Sequence, residues 1–491
     1  MKILNDLLED IQILDIKGNI DAPVSSLSLN SKEIEPNSLF IAISGNITDG
    51  HNFIEEVIGK GATTIIYEKD LPKYKNDINY IKVLDTHEAV GVIANNFYGN
   101  PSRSLKLIGV TGTNGKTTTA TLLHQLFRKL GHKAGMIGTI VNKVNNKEYE
   151  ASRTTPDAIS LNKLLREMVN EGCEYCFMEV SSHSVSEKRL SGISFVGGIF
   201  TNLTLDHLDY HKTLENYAEA KKKFFDMLPI SGFAIANIDD EKGEYMLSTT
   251  KAKTYTLSLK KSTDSSGNEV NFNERIETKL LGEFNAYNIL GIYAVAVLLG
   301  EDNEKVKETI KQLDGAPGRF QAIKSENGII GIVDYAHTPD ALENVLRTIN
   351  QIRNQPNPGG LANQTPGVWG KIISVIGCGG DRDKSKRPIM ARIGYEMSDL
   401  LILTSDNPRS EKPEDILNDM QKGLPLDHEN KVEIIVDRHM AIEKACFLAL
   451  AGDYVLIAGK GHEKYQEVNG LKTYFDDMEE LEKYLQILKI N

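Results

Sequence analysis

Residues 105–119 read Leu-Lys-Leu-Ile-Gly-Val-Thr-Gly-Thr-Asn-Gly-Lys-Thr-Thr-Thr. The first half is an apolar, β-rich run that predicts a buried strand, and the residues from Lys116 onward follow a helical pattern. Glycines between a strand and a helix let backbone N–H groups surround phosphate oxygens, and the helix N-terminus attracts anions. In such a loop Lys116 would reach the β- and γ-phosphates of a nucleotide, and the Thr117 hydroxyl would ligate Mg²⁺.

The glycine spacing differs from that of the common phosphate-binding loop. The common pattern requires glycine at position 110, where this chain has Val110 and continues as G-x-x-G-x-x-G-K-T-T. A glycine turn without a ligand is the alternative, but the strand, Gly-Lys-Thr and the helix occur in the required order. We therefore predict nucleotide binding. The loop does not define the reaction, because motors, kinases, GTPases and ligases all use one.

The rest of the chain predicts an α/β protein. Strands and helices alternate over most of the 491 residues, which is typical of mostly parallel sheets covered by helices. At roughly 150 residues per domain, this length corresponds to about three domains. Turn-forming residues interrupt the pattern at 100–102 and at 315–318. We place the domains at 1–102, 103–317 and 318–491.

Composition and charge exclude several classes of protein. A net charge of −12, from 56 Lys+Arg against 68 Asp+Glu, argues against a general nucleic-acid binder.

Residues 1–10 lack the pattern of a secretory signal, and the apolar run 289–299 is too short to span a bilayer. Cys173 and Cys176 form a C-x-x-C in a predicted buried strand, with no second pair for a zinc site. We expect a cytoplasmic monomer without a nucleic-acid or membrane partner, and an exposed insertion at 354–370.

Four further motifs accompany the phosphate loop in chain order: MEVSSH at 178–183, TNLTLDHLDYH at 201–211, VDYAHTPDAL at 333–342 and GCGGDRDKSKRP at 377–388. Together they resemble the Mur ligases of peptidoglycan synthesis, over essentially the whole chain. The chain is most similar to the members that add the third amino acid to UDP-N-acetylmuramoyl-L-alanyl-D-glutamate. The resemblance implies a small N-terminal α/β domain for the UDP end, a central P-loop ATPase domain and a C-terminal Rossmann-like domain for the amino acid.

The resemblance also implies ATP, Mg²⁺ and an acyl-phosphate intermediate. Glu179 and His207 would hold Mg²⁺ with Thr117, although a plain hydrogen bond is the alternative for an isolated histidine. Lys221, which from its helix alone we predict to be solvated, matches the family's carbamylated lysine (N6-carboxylysine), with Lys222 and Lys223 as alternatives. The implied catalytic residues are Lys116, Glu179, His207 and Lys221. The implied ATP-binding residues are Gly112, Thr113, Asn114, Gly115, Lys116, Thr117, Thr118, Asn288, Arg319 and Asp334.

For the UDP-muramoyl-dipeptide, the resemblance implies Ser31, Asn46, Thr154, Thr155, Ser181 and Arg189. Two departures concern the uridine end. Ser31 is followed by Lys32 in place of the usual Arg, and Asn46-Ile47 replaces the His-Gln of some relatives. Contacts there are expected through the backbone, and ordinary turn residues are the alternative.

The motif Asp406-Asn407-Pro408-Arg409 follows the predicted strand Leu-Leu-Ile-Leu-Thr-Ser, where open α/β sheets bind ligands. A turn without a ligand is the alternative, but the motif resembles the signature of members that add meso-diaminopimelate. An arginine fork can bind the distal carboxylate of diaminopimelate, which lysine lacks. The implied diaminopimelate-binding residues are Arg382, Asp406, Asn407, Pro408, Arg409, Gly459 and Glu463.

Three alternatives remain at this point. Two are ligases: a lysine-adding enzyme of the same type and a folylpolyglutamate synthase-like enzyme. The third is a P-loop ATPase that binds nucleotide without making a product. The N-terminal domain and the D-N-P-R motif argue against the other ligases, and the combination of motifs argues against the plain ATPase.

Overall fold

The computed structural model describes residues 1–45, 48–260, 276–354 and 370–487. Asn46 and residues 355–369 of the predicted insertion lie outside these ranges. The chain divides into two compact units. The described residues of the first unit are 1–203, 213–260 and 290–309. Those of the second are 204–212, 276–289, 310–354 and 370–487.

The N-terminal part of the first unit contains a five-stranded sheet of order β2-β7-β6-β5-β4. Only the β2–β7 pair is antiparallel. Apolar side chains are buried on both faces of this sheet, as expected for parallel strands. The strands are β1 Lys2–Ile3, β2 Ile13–Lys17, β3 Pro23–Val24, β4 Leu27–Ser28, β5 Ser38–Ile41, β6 Ala62–Tyr67 and β7 Asn79–Val83, and the helices are α1 Leu4–Leu7, α2 Ile54–Gly59 and α3 Thr86–Phe97.

The central part of the chain forms an eight-stranded sheet of order β11-β10-β9-β12-β8-β13-β14-β15. It is parallel from β9 to β15, and β10 and β11 add an antiparallel edge. Its strands are β8 Lys106–Thr111, β9 Ala134–Ile137, β10 Val141–Val144, β11 Lys147–Glu150, β12 Tyr175–Glu179, β13 Gly197–Phe200, β14 Phe233–Asn237 and β15 Lys253–Leu257. The helices of this stretch are α4 Lys116–Leu130, α5 Ala158–Asn170, α6 Ser182–Ser186, α7 Leu208–His211, α8 Leu214–Asp226, α9 Gly243–Leu247, α10 Glu283–Leu298 and α11 Asn303–Ile310.

The C-terminal part of the second unit forms a six-stranded sheet of order β16-β17-β21-β18-β19-β20, antiparallel only at β16–β17. Neighbouring residues of one strand, such as Ile332 and Val333, belong to separate core clusters on opposite faces, so the sheet is covered on both sides. The strands are β16 Gln321–Lys324, β17 Ile330–Asp334, β18 Ile372–Cys378, β19 Leu400–Ser405, β20 Val432–Ile434, β21 Tyr454–Ala458, β22 Tyr465–Val468 and β23 Leu471–Tyr474. The helices are α12 Pro339–Asn354, α13 Lys386–Met397, α14 Pro413–Gln421, α15 Arg438–Leu448 and α16 Asp477–Ile487.

The predicted fold class, α/β with mostly parallel sheets, is confirmed. The predicted boundaries between domains stay a prediction. The run containing Cys176 is the buried strand β12, as predicted, and burial raises the pKa of the Cys176 thiol well above its usual value. Within the part of the chain that the structure describes, no helix is long and apolar enough to cross a membrane.

Candidate active site

The phosphate loop of the first unit joins β8 to α4. Gly112 and Gly115 have φ of 151° and 84°, which residues with a side chain rarely adopt. The N–H of Asn114 donates to Oδ1 of Asn202 at 2.9 Å, which fixes one edge of the loop. The Lys116 ammonium donates to the carbonyl oxygens of Gly112 (2.8 Å) and of the next residue (2.7 Å). The predicted strand, glycine turn and helix are therefore present in register.

Glu179 lies beside this loop because β12 pairs in parallel with β8. Its side chain is buried, with 1% exposure. Oε2 accepts from the hydroxyl of Thr117 at 3.0 Å, and the N–H of Thr139 donates to Oε1 at 2.8 Å. The Thr139 hydroxyl contacts both Oε2 of Glu179 (3.1 Å) and the hydroxyl of Thr154 (3.0 Å). A buried carboxylate beside a hydroxyl offers the hard oxygen ligands that Mg²⁺ prefers, so these residues fit that ion.

Thr139 is a functional candidate that the sequence did not indicate. It follows β9 without any motif around it. Only the pairing of β12 between β8 and β9 places it against Glu179.

The residues assigned to the dipeptide substrate form a chain of hydrogen bonds at the end of β12. The Thr155 hydroxyl donates to the carbonyl of Glu179 at 2.7 Å and accepts from the N–H of Ser181 at 3.1 Å. The Arg189 guanidinium donates to the carbonyl of Thr155 at 2.8 Å and also pairs with Glu187. The structure therefore brings Thr154, Thr155, Ser181 and Arg189 into one hydrogen-bonded group with Glu179.

The expectation that Lys221 is solvated is wrong. The side chain is buried, with 1% exposure, on the face of α8 that packs on the sheet. Its ammonium donates to the carbonyl of Gly112 at 2.7 Å and lies 4.4 Å from the ring centroid of Tyr217. The sequence Ala-Glu-Ala-Lys-Lys-Lys does not indicate that Lys221 is buried, because consecutive residues of a helix lie on different faces. Lys223 is the exposed lysine of the run.

Three other predicted residues, His207, Ser31 and Asn46, belong to other segments of the chain. His207 lies in residues 204–212 of the second unit, exposed, with Nε2 3.4 Å from Oδ2 of Asp206. In the N-terminal part, the carbonyl of Ser31 accepts from the Lys60 ammonium at 2.8 Å, and Asn46 is outside the described residues. Among the residues described, no group of three or more His, Cys, Asp or Glu side chains is arranged for a metal ion.

In the second unit, the segment that carries Arg319 contacts the end of β17, which carries Asp334. The N–H of Phe320 donates to Oδ2 of Asp334 at 2.6 Å, and the Arg319 guanidinium lies 4.3 Å from the ring centroid of Tyr335. Burial raises the pKa of Asp334 to about 6, although Arg319 opposes the shift. Asn288, on α10, is buried and donates to the side chain of Asn285 at 3.2 Å.

The D-N-P-R motif follows β19 in the second unit. The Asn407 amide donates to Oε2 of Glu463 at 2.7 Å. Asp406 lies against Gly459, where a side-chain Cβ would be 2.5 Å from Oδ2 of the aspartate, and φ is 120°. Close approach and backbone conformation both explain the glycine. Pro408 is buried beside them. The structure thus brings together residues that are more than 50 positions apart in the chain.

Arg409 is held in a left-handed backbone conformation, with φ of 52°. Its N–H donates to the carbonyl of Glu467 at 3.0 Å, and its carbonyl accepts from Asn469 at 2.6 Å. The guanidinium donates through Nη1 to the carbonyl of Gly380 at 2.7 Å. Arg382 is exposed on the same glycine loop. The backbone of Arg409 is therefore fixed by the β22–β23 hairpin, and its side chain points toward the loop that carries Arg382.

Arg438 and Lys460 are buried cations that support these loops, and neither was predicted as a site residue. Arg438 has no exposed surface in its side chain and pairs with the equally buried Asp477 at 2.7 Å. It also donates to the carbonyls of Ser405 (3.4 Å) and Ala458 (3.2 Å), the last residues of β19 and β21. Lys460 is the second such cation and contacts Asn407. The segment Gly-Lys-Gly-His-Glu could have indicated Lys460 from the sequence, because a lysine next to a buried strand requires partners.

Comparison with known proteins shows which family these sites represent. The Mur ligase family catalytic domain matches residues 23–98, the Mur ligase middle domain matches residues 110–296, and the glutamate ligase domain of Mur ligases matches residues 318–461. The chain belongs to the Mur ligase family. The matched middle domain of this Mur ligase contains the phosphate loop, Glu179 and Lys221, and the matched C-terminal domain contains the D-N-P-R motif.

Three of the proteins similar to this Mur ligase share one description. UDP-N-acetylmuramoyl-L-alanyl-D-glutamate–2,6-diaminopimelate ligase of Cytophaga hutchinsonii is 49% identical, over 96% of this chain and 97% of its own. The enzyme of the same description from Bacteroides fragilis is 48% identical, over 99% of both chains. A solved structure of such a ligase is 32% identical with a TM-score of 0.69, over 100% of both chains.

Proposed function

We propose that this Mur ligase is an ATP-dependent ligase that adds meso-diaminopimelate to the D-glutamate of UDP-N-acetylmuramoyl-L-alanyl-D-glutamate, in peptidoglycan precursor synthesis. The observation that carries the proposal is the D-N-P-R motif with Asn407 hydrogen-bonded to Glu463 at 2.7 Å. This motif occurs in a chain that is 49% identical to a ligase of that description. The two substrates are the partners of the enzyme, and ATP supplies the energy.

The reaction must activate a carboxylate, because a carboxylate does not condense with an amine in water. An oxygen of the D-glutamate γ-carboxylate attacks the γ-phosphorus of ATP, and ADP leaves. The amine of diaminopimelate then attacks the acyl carbon, loses a proton, and inorganic phosphate leaves as the amide bond forms. Catalysis of this kind depends mainly on positioning and on neutralising phosphate charge.

Most residues proposed for the phosphoryl transfer belong to the first unit, whereas Asn288, Arg319, Asp334 and His207 belong to the second. The phosphate-loop amides and Lys116 would bind the phosphates of ATP, and the proposed nucleotide contacts also include Asn288, Arg319 and Asp334. Thr117 and Glu179 would hold Mg²⁺, with His207 as a further proposed ligand. Bound there, Mg²⁺ would neutralise charge on the phosphate oxygens. Thr154, Thr155, Ser181 and Arg189 would orient the dipeptide carboxylate, and Ser31 and Asn46 would contact the uridine end.

The choice of amino acid is assigned to the second unit. Arg409, with Arg382 on the neighbouring loop, would bind the distal carboxylate of diaminopimelate, and Glu463 would bind its distal ammonium. Asp406, Asn407, Pro408 and Gly459 shape this part of the site. Lysine has the distal amine but no distal carboxylate, so it would leave Arg409 without a partner. An unpaired charged group of this kind weakens binding.

Phosphate release tests the function directly. We expect release only when UDP-muramoyl-dipeptide and meso-diaminopimelate are both present with ATP, because the acyl phosphate is consumed by the amine. In parallel reactions, lysine in place of diaminopimelate should give little product. Phosphate release without either substrate would instead favour a plain ATPase, and equal rates with lysine would favour a lysine-adding ligase.

We also propose that Lys221 is carbamylated. Its buried nitrogen lies 2.7 Å from the carbonyl of Gly112, so an added carboxylate would lie beside the phosphate loop. With ¹³C-bicarbonate, we expect a carbamate signal in the ¹³C NMR spectrum of the wild type and its loss in Lys221→Met. Lys222→Met and Lys223→Met are the matched controls. Loss of the signal in either control, with retention in Lys221→Met, would reassign the modification.

We propose a cytoplasmic location for the enzyme. Cys173, Cys176, Cys378 and Cys446 are all free thiols, which is typical of a reducing compartment.

A further inference from the structure

Lys460 is a buried cation to which the proposed reaction gives no role. None of its surface is exposed. Its ammonium donates to Oδ1 of Asn407 at 3.0 Å and to the carbonyl of Tyr465, and lies 3.6 Å from Oε2 of Glu463. Removing a charged amine from water is costly unless it is paired and hydrogen-bonded. All of these contacts are with residues around the proposed amino-acid site.

The contacts of Asn407 show what the Lys460 ammonium does. Oδ1 of Asn407 accepts from Lys460 at 3.0 Å and from the N–H of Glu467 at 2.9 Å. Its Nδ2 donates to the Glu463 carboxylate at 2.7 Å. A rotated amide would turn its NH₂ group toward two donors and its oxygen toward a carboxylate. Only one orientation of this amide therefore satisfies its neighbours.

We propose that Lys460 is a positioning residue for the amino-acid substrate: through the Asn407 amide it holds the Glu463 carboxylate where that carboxylate binds the distal ammonium. This inference rests on the proposed function, because it requires that Glu463 binds the amine of diaminopimelate. Lys460 itself touches neither the substrate nor the reacting atoms. It acts through Asn407 and through its charge.

The charge of Lys460 matters because Glu463 must be ionised to bind an ammonium. Burial raises the pKa of Glu463, Asp406 adds to the shift, and Lys460 opposes it. Without Lys460 the pKa of Glu463 would rise further. On acidification Glu463 would then become protonated at a higher pH than in the wild type, and amine binding would be lost at that higher pH. The charged and titratable groups that face Glu463 are Tyr335, Asp406, Arg409, Arg438, Lys460 and Tyr465.

Steady-state kinetics of Lys460→Met tests the inference. We expect KM for meso-diaminopimelate to rise about 10- to 100-fold, the range for hydrogen bonds to a charged group, with KM for ATP and for the UDP-muramoyl-dipeptide unchanged. The acid limb of the kcat/KM profile for diaminopimelate should move to higher pH. Lys464→Met is the matched control, since Lys464 follows in the same segment, is 64% exposed and pairs with Asp476 at 3.0 Å. It should behave as the wild type.

A double-mutant cycle separates positioning from a general loss of structure. At a pH where Glu463 is ionised, Lys460→Met should add little to the KM of Asn407→Ala, because its main route of action is already removed. Fully additive effects would overturn the inference, as would an unchanged KM for diaminopimelate in Lys460→Met.

Lys460→Gln gives a second variant should Lys460→Met not fold. Glutamine keeps a donor for Oδ1 of Asn407 but no charge, so we expect KM to recover at alkaline pH while the acid limb stays displaced. An acid limb identical to that of the wild type would overturn the inference. The wild-type reaction is the reference: if it fails to consume diaminopimelate, the proposed function fails, whereas normal wild-type activity with unaffected Lys460 variants refutes only the role of Lys460.

Discussion

Replacement of Lys116 by alanine is expected to lower kcat/KM for ligation by about a thousandfold, the effect of removing a preorganised charge-stabilising group. The lysine follows Gly115 at the first position of α4, and its ammonium donates to two carbonyls of the phosphate loop at 2.8 and 2.7 Å. In the reaction it would stabilise negative charge on the transferred phosphoryl group. Alanine removes this charge and two contacts that order the loop. Phosphate release with both substrates present measures the effect.

Lys129→Ala is the control for this experiment. Lys129 is exposed in the last turn of the same helix, so the substitution changes net charge equally without altering the loop. We expect its activity to match that of the wild type. Thermal melting of both variants would show whether α4 remains folded. A Lys116→Ala enzyme that is folded and fully active would remove the phosphate loop from the proposed mechanism.

Replacement of Arg409 by alanine is expected to lower the preference for meso-diaminopimelate over lysine by about 100-fold, within the range for a lost charged hydrogen-bonding partner. The guanidinium would bind the distal carboxylate with two parallel hydrogen bonds. Alanine keeps a Cβ, so the left-handed backbone at φ 52° is no more strained than with arginine. The main-chain hydrogen bonds also remain, in which the Arg409 N–H donates to the carbonyl of Glu467 and the Asn469 N–H donates to the carbonyl of Arg409. The ratio of kcat/KM for the two amino acids measures the effect.

Two further variants make the result specific. Arg409→Lys keeps the charge but loses the planar fork, so its preference should fall between those of the wild type and of Arg409→Ala. Arg392→Ala is the matched control, because Arg392 is 69% exposed and pairs with Glu396 on the same helix. Its preference should equal that of the wild type. A discrimination ratio that stays the same in Arg409→Ala would refute the assignment of Arg409.

Local patterns in the sequence were sufficient to predict most of the helices and strands near the site. The helix expected after the phosphate loop is α4, Lys116–Leu130, and its end coincides with Gly131, where φ is 102°. The apolar runs after Gly172 and before Gly112 are β12 and β8. These elements depend on hydrophobic periodicity and on glycine conformations, which neighbouring residues determine. The Mur ligase motifs were also visible in the sequence, because each is a short continuous segment.

Contacts between distant segments of the chain decided which side chains at the site are buried and which groups they contact. Lys221 looked solvated in its own helix, yet packing of α8 buries it and places its nitrogen on Gly112, 109 residues away. Thr139 meets Glu179 only because β12 lies between β9 and β8. Lys460 reaches Asn407 across 53 residues because β19 and β21 both pair with β18. The sequence by itself determined the elements, the motifs and the family resemblance, since these are local or continuous. Tertiary structure alone decided which polar groups are buried together, because strand pairing and helix packing join residues that no local pattern relates.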